Sequence, residues 1–174
     1  MRMTRSPAFR PQILIAALAV LVAGAAFAAE QSRPTPSGLP VPRYVSLKFD
    51  DVNARSGPGD DYRLLWVYRA RGLPLQVVAE TADWRRVCDP QHGLSWVKAT
   101  GVDGRRTALS LQSAPLPIRA KPDPNARVQA YLAARAVAML DHCQGGWCKV
   151  KASGASGWIQ ASQVWGTDDA WQCR

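Results

Sequence analysis

The residues able to do chemistry are few: four cysteines, two histidines and a set of acids, some of them in doublets. Catalysis needs a nucleophile beside a base, two carboxylates facing one substrate, or a metal set. Asp50-Asp51 and Asp60-Asp61 are chain neighbours; on an extended chain neighbours point to opposite faces, so neither doublet forms an acid–base pair by itself. His92 sits in a Pro-Gln-His-Gly turn and His142 directly precedes Cys143, and both read as exposed loop residues rather than as bases. No C-x-x-C or H-x-x-x-H spacing occurs, so no metal is expected. No other cofactor is expected either. The chemistry left to Cys88, Cys143, Cys148 and Cys173 is pairing, with three connectivities open. Recognition has better material. Arg55, Arg63, Arg69, Arg71, Arg85 and Arg86 surround Trp66 and Tyr68, and basic and aromatic side chains together hold sugars, extended peptides or nucleic acid strands.

The start of the chain says where this surface would work. Arg2, Arg5 and Arg10 precede an uncharged apolar run over residues 13–26, and Ala26-Phe27-Ala28 closes it with the small residues of a cleavage site. This is the pattern of a signal peptide, expected over residues 1–28 with cleavage after Ala28. The 17 uncharged residues from Ile13 to Ala29 fall short of the roughly 20 that cross a bilayer, so retention as an anchor is the alternative and a stable span after cleavage is not expected. Cleavage removes three arginines and no acid, taking the formal charge from +9 to +6. The expected destination is the periplasm or the exterior, where cysteines oxidise and nucleic acid is not the expected partner.

Residues 29–43 hold four prolines and little to bury, which predicts an extended linker. From Tyr44 onward, short apolar runs alternate with Gly, Pro and Asp clusters, the spacing of many short strands. Residues 126–140 are rich in helix formers and ambiguous by periodicity. An internal repeat resolves them. Residues 52–58 match 116–122 at an offset of 64, with Arg55 over Arg119 and Pro58 over Pro122; Trp84 to Val87 falls over Trp147 to Val150, and Trp96 over Trp158, where the offset has become 62. Two units of about 60 residues explain this drift with short loop deletions. The repeat sets 126–140 over a run containing Pro74, so residues 136–141 are expected as a strand, a helical turn before it being the alternative. Residues 143–148 then form a hairpin tip on Gly145-Gly146.

The motifs N-A-R-S-G-P-G at 53–59, W-R-R-V at 84–87 and S-W-V at 95–97 resemble the bacterial SH3 (SH3b) domain, as do G-W-C-K-V at 146–150 and G-W-I at 157–159 in a second copy, where Pro117 stands for Asn53 and Lys121 for Gly57. G-W-C-x-V followed by G-W-I is also similar to the exported tandem SH3-like proteins of alphaproteobacterial envelopes. The resemblance implies an all-β protein of two tandem small barrels, over 44–104 and 105–166, with a tail at 167–174; in the family the last two motifs mark the third and fourth strands.

Trp84, Val87, Trp96 and Val97 alternate on short strands, and aromatic side chains give a thin barrel its largest buried area. Asn53 and Arg55 have two readings, local bonding that holds their loop or one wall of a ligand groove. Cys143 and Cys148 flank the hairpin tip within bridging range if directly opposed, which leaves Cys88 for Cys173 and would tie the tail to the first barrel. The candidate ligand residues are Asn53, Arg55, Tyr62, Arg63, Trp66, Tyr68, Trp84 and Trp96. The expected function is non-catalytic binding in the cell envelope, of peptidoglycan or an extended peptide. The alternatives are a scaffold for another envelope protein or a regulator of a cell-wall hydrolase.

Overall fold

In the computed structural model, which describes residues 35–173, the chain forms fourteen strands in two antiparallel sheets. The expected signal peptide lies outside the described residues. The first sheet comprises β1 (Arg43–Leu47), β2 (Val52–Arg55), β3 (Leu64–Tyr68), β4 (Pro74–Glu80), β5 (Trp84–Cys88), β6 (Leu94–Lys98) and β7 (Val102–Asp103). The second repeats the plan with β8 (Thr107–Ser110), β9 (Leu116–Arg119), β10 (Val128–Leu132), β11 (Val137–Gln144), β12 (Trp147–Ala152), β13 (Ala155–Gln160) and β14 (Val164–Trp165). Strand order is 3-2-6-5-4-1-7 in the first and 10-9-13-12-11-8-14 in the second, the same path shifted by seven strands. The W-x-x-V and S-W-V segments fall on β5 and β6, later in the count than third and fourth because β1 precedes the first motif and residues 64–68 form a strand of their own.

Alternation explains which residues go inside. On β2, Val52 and Ala54 are buried while Asn53 between them is exposed. Val45, Leu47, Leu75, Val77, Val87 and Val97 complete the first core with Tyr68. Leu116, Ile118, Leu132, Leu140, Val150 and Ile159 form most of the second. Both copies break register at the same two places, β2–β3 with β9–β10 and β4–β5 with β11–β12; such bulges bend strands and sharpen the curl of each sheet. The stretch with helix-forming composition is strand: β10, a turn with Arg135 at φ 57°, then β11, which runs to Gln144. Tertiary pairing on both flanks outweighs the alanine content there.

A third cluster joins the barrels. Tyr44 and Cys88 of the first pack with Leu109 and Trp165 of the second and with Cys173 of the tail. Trp165 meets the Tyr44 ring edge-on at 5.8 Å and donates Nε1–H to the Pro74 carbonyl at 2.9 Å. Thr107 donates its hydroxyl to the Gly72 carbonyl at 2.6 Å and lies 2.7 Å from the Ser46 hydroxyl. The tail doubles back over β4, where buried Gln76 donates to the Ala170 carbonyl and accepts from the Gln172 amide. Disulfides join Cys88 to Cys173 and Cys143 to Cys148. The two barrels and the tail fall within one compact unit.

The proline-rich segment also has fixed contacts where it is described. Ser37 donates its amide to Glu80 at 2.8 Å, and Arg43 and Arg85 both pair with the same carboxylate, whose side chain is fully buried. Burial alone raises this carboxyl, but hydrogen bonds from Ser37 and the Arg43 guanidinium outweigh it and hold the Glu80 pKa at about 2.

Candidate functional site

Each barrel carries a cleft at the same place in the repeat. In the first, Trp84 at the start of β5 forms the floor, Asn53 and Arg55 of β2 one side, and the 3₁₀ turn at Ala99–Gly101 the other, around a cavity of about 230 Å³. In the second, Trp147 takes the floor, with Pro117 and Arg119 of β9 on one side and Gln163 of the turn at Ala161–Gln163 on the other, around about 210 Å³. Strand register makes the equivalence residue by residue: Trp84 pairs with Lys98 as Trp147 pairs with Gln160, and Arg55 pairs with Trp96 as Arg119 pairs with Trp158.

The arginine of the motif holds the loop in both copies. Arg55 donates Nη1–H to the Tyr62 carbonyl at 2.8 Å, and Arg119 donates Nη1–H to the Ala126 carbonyl at 2.8 Å. Both bonds span seven residues and close the loop between the second and third strands of their barrel. Gly57 is fixed by the same loop: a Cβ there would lie 2.2 Å from the Tyr62 ring. Arg55 therefore shapes the cleft through its loop as well as lining it.

The walls differ in chemistry. Asp60 enters the first cleft from the loop and pairs with Lys98 at 2.7 Å and Arg55 at 3.8 Å, while the Lys98 ammonium lies 5.7 Å from the Trp84 ring centre. Asp51 and Phe49 extend that wall. At the equivalent positions the second cleft has Pro124 and Gln160, so its lining offers neither the carboxylate nor the ammonium. A polar ligand entering the first cleft meets an ion pair between partly exposed groups, which opens at low cost because exposed pairs contribute only about 0–1 kcal/mol. It then offers a cation, a carboxylate and an aromatic face.

Of the eight residues selected from sequence, Asn53, Arg55 and Trp84 line this cleft. Trp84 is 7% exposed, so only one part of its ring faces the cavity. Tyr62 lies against Gly57 and Gly59, and Arg63 is exposed beside it. Trp66 is exposed on β3, edge-on to Tyr68. Tyr68 is buried, with its hydroxyl 3.1 Å from Asp89 and 3.2 Å from Ser95, and burial pushes its phenol pKa up. Trp96 is half-buried beside Arg55. Lys98, Asp60 and the 3₁₀ turn had no part in that selection. For Lys98 the signal lies in the hairpin register: a turn centred on Gln91 sets it opposite Trp84.

Among the described residues, Cys88, His92 and Cys173 bring metal-donor atoms within 4.8 Å of one another. The two sulfurs are bonded together, so they offer no thiolate.

The sequence matches the family model for the bacterial SH3 domain twice in tandem, over residues 48–104 and 112–166. The chain belongs to this family, whose domains are typically extracytoplasmic binding modules for the cell wall or for protein partners. No curated protein matches the sequence. Among solved structures it is similar to NlpC2 from Trichomonas vaginalis, at 12% identity and a TM-score of 0.33 over 71% of this chain and 47% of that one. NlpC1 from the same organism gives 13% and 0.32, over 71% and 45%. The chain thus spans about half the length of each, and at these scores the likeness carries no argument about function. Among the described residues, no helix is long and apolar enough to cross a membrane.

Proposed function

We propose that this chain is an exported, non-catalytic binding module of the cell envelope that holds an extended peptide of the peptidoglycan in the Trp84 cleft. The observation that carries this reading is the duplicated cleft, built on Trp84 and on Trp147 with the same loop arginine and 3₁₀ turn. Conservation of shape with divergence of the wall chemistry is the pattern of a fold-given site adapted for recognition in one copy. Peptidoglycan peptides carry free carboxylates and amines, which the Lys98 and Asp60 pair complements. The leader at residues 1–28 would deliver the module to that polymer. The joined barrels give the cleft a fixed setting, which lowers the ordering cost of binding.

A second reading, binding of another envelope protein, draws on Leu64 and Trp66, large exposed side chains on β3, an edge strand of its sheet. Edge strands accept extended partner segments. Co-sedimentation with purified sacculi separates the two. The cleft reading expects Lys98→Glu to release the protein from the pellet while Trp66→Ser leaves it bound. Release by Trp66→Ser with no effect of Lys98→Glu favours the edge-strand reading and removes the cleft from recognition.

A further inference from the structure

The seam between the barrels contains a groove of about 330 Å³ that neither barrel forms alone. Three turns meet there. The first barrel contributes Arg71 and Gly72, in the turn between β3 and β4; the connection between barrels contributes Arg105; the second barrel contributes Lys151 and Ser153 at the hairpin joining β12 to β13. Gly72 at φ 81° and Ser153 at φ 47° hold two of these turns tight. A Cβ added at Gly72 would lie 3.6 Å from Val137, so the two barrels approach closely beside the groove. The Thr107 bond to Gly72 and the Trp165 bond to Pro74 fix the spacing across the seam.

The lining carries three cations and no carboxylate. Arg105 is already committed, its Nε–H donated to both oxygens of Asp103 and its Nη2 2.6 Å from one of them. Those bonds hold the Asp103 carboxyl below its usual range. Arg71 and Lys151 enter no ion pair among the described residues. These two cations reach the groove from different barrels with no carboxylate in its lining, an arrangement that favours an anion there. Val137 and exposed Met139 on β11 add an apolar stretch to a lining that also includes the hydroxyls of Ser46, Thr107 and Ser153.

We propose that this inter-barrel groove binds an acidic peptide segment, with Arg71 and Lys151 taking its carboxylates and the Val137–Met139 stretch taking its aliphatic stems. Arginine presents a planar fork suited to a carboxylate, and lysine a point charge that tolerates variable spacing. The apolar stretch favours a peptide over a phosphate polymer, which has no aliphatic side chains to cover it. The site is distinct from the Trp84 cleft and shares no lining residue with it.

The test is titration calorimetry of the oxidised protein with hexaglutamate, hexaglutamine and inorganic triphosphate at low salt. The comparison is Arg71→Gln/Lys151→Gln against the charge-matched control Lys121→Gln/Arg127→Gln, two exposed residues outside the groove. Unchanged thermal unfolding of both variants guards against a folding defect. The proposal expects hexaglutamate alone to bind well, with affinity falling about tenfold in the groove variant and less than about twofold in the control. Absent hexaglutamate binding, equal losses in the two variants, or tighter binding of triphosphate than of hexaglutamate would each overturn it.

Discussion

Removing the Cys88–Cys173 bridge should destabilise the protein far more than removing Cys143–Cys148, and chain statistics give the size. The first bridge closes a segment with a sequence separation of 85, the second one of 5. In the loop-entropy treatment a closed loop of the first size contributes about 4.5 kcal/mol and of the second about 2 kcal/mol. The long bridge also anchors both ends of the third cluster, since Cys88 and Cys173 are members of it with Tyr44, Leu109 and Trp165. Its loss therefore weakens the contact between the barrels as well as freeing the unfolded chain. Gln76 still binds the backbone at Ala170 and Gln172, so the tail is not released outright and the unfolded-chain term of about 4.5 kcal/mol should dominate the loss. Cys88→Ser/Cys173→Ser and Cys143→Ser/Cys148→Ser, each followed by urea unfolding, measure the two costs directly. Equal costs, or a larger one for the short bridge, would refute the view that the tail bridge holds the tandem together.

Glu80 makes stability acid-sensitive in a defined window. Its folded pKa of about 2 lies below that of an unfolded glutamate, so its contribution is present above about pH 4.5 and is lost as pH falls toward 2. Glu80→Gln should cost on the order of 2–3 kcal/mol at pH 7 and flatten the acid limb of a stability–pH curve, which urea midpoints between pH 2 and 7 would follow. Trp165→Ala empties the seam and should cost about 3–5 kcal/mol, with loss of the single cooperative transition in calorimetry as the barrels uncouple. Gly157→Ala places a Cβ 2.5 Å from the Arg119 carbonyl oxygen, a backbone atom that cannot step aside; about 1–3 kcal/mol of destabilisation is expected by thermal unfolding.

Much of the fold was legible because the repeat speaks twice. Trp84 and Trp147, and Arg55 and Arg119, occupy matching places in sequence, and the offset between copies turned an alanine-rich stretch into strand against its own composition. The seam was not legible. Tyr44, Leu109 and Trp165 sit in the same short apolar runs as core residues, and alternation tells which side chains are covered without telling by what. Tyr68 illustrates the same limit: its aromatic and basic neighbours suggested a surface, but it shares a strand face with Ala54 and Val52 and its hydroxyl is met inside by Asp89 and Ser95. The cleft was legible in part. Trp84 and Arg55 stand in the motif, whereas Lys98 and Asp60 reach it only through register and loop path, which a list of residue types does not encode.

The central claim is that the Trp84 cleft recognises the cell wall, and pelleting with purified sacculi tests it most directly. The oxidised protein should pellet at moderate salt, and Lys98→Glu, which sets two carboxylates against each other at Asp60 while leaving the Trp84 floor in place, should remain in the supernatant with its thermal unfolding little changed. Wild-type protein left in the supernatant, or Lys98→Glu pelleting as fully as wild type, would contradict the account.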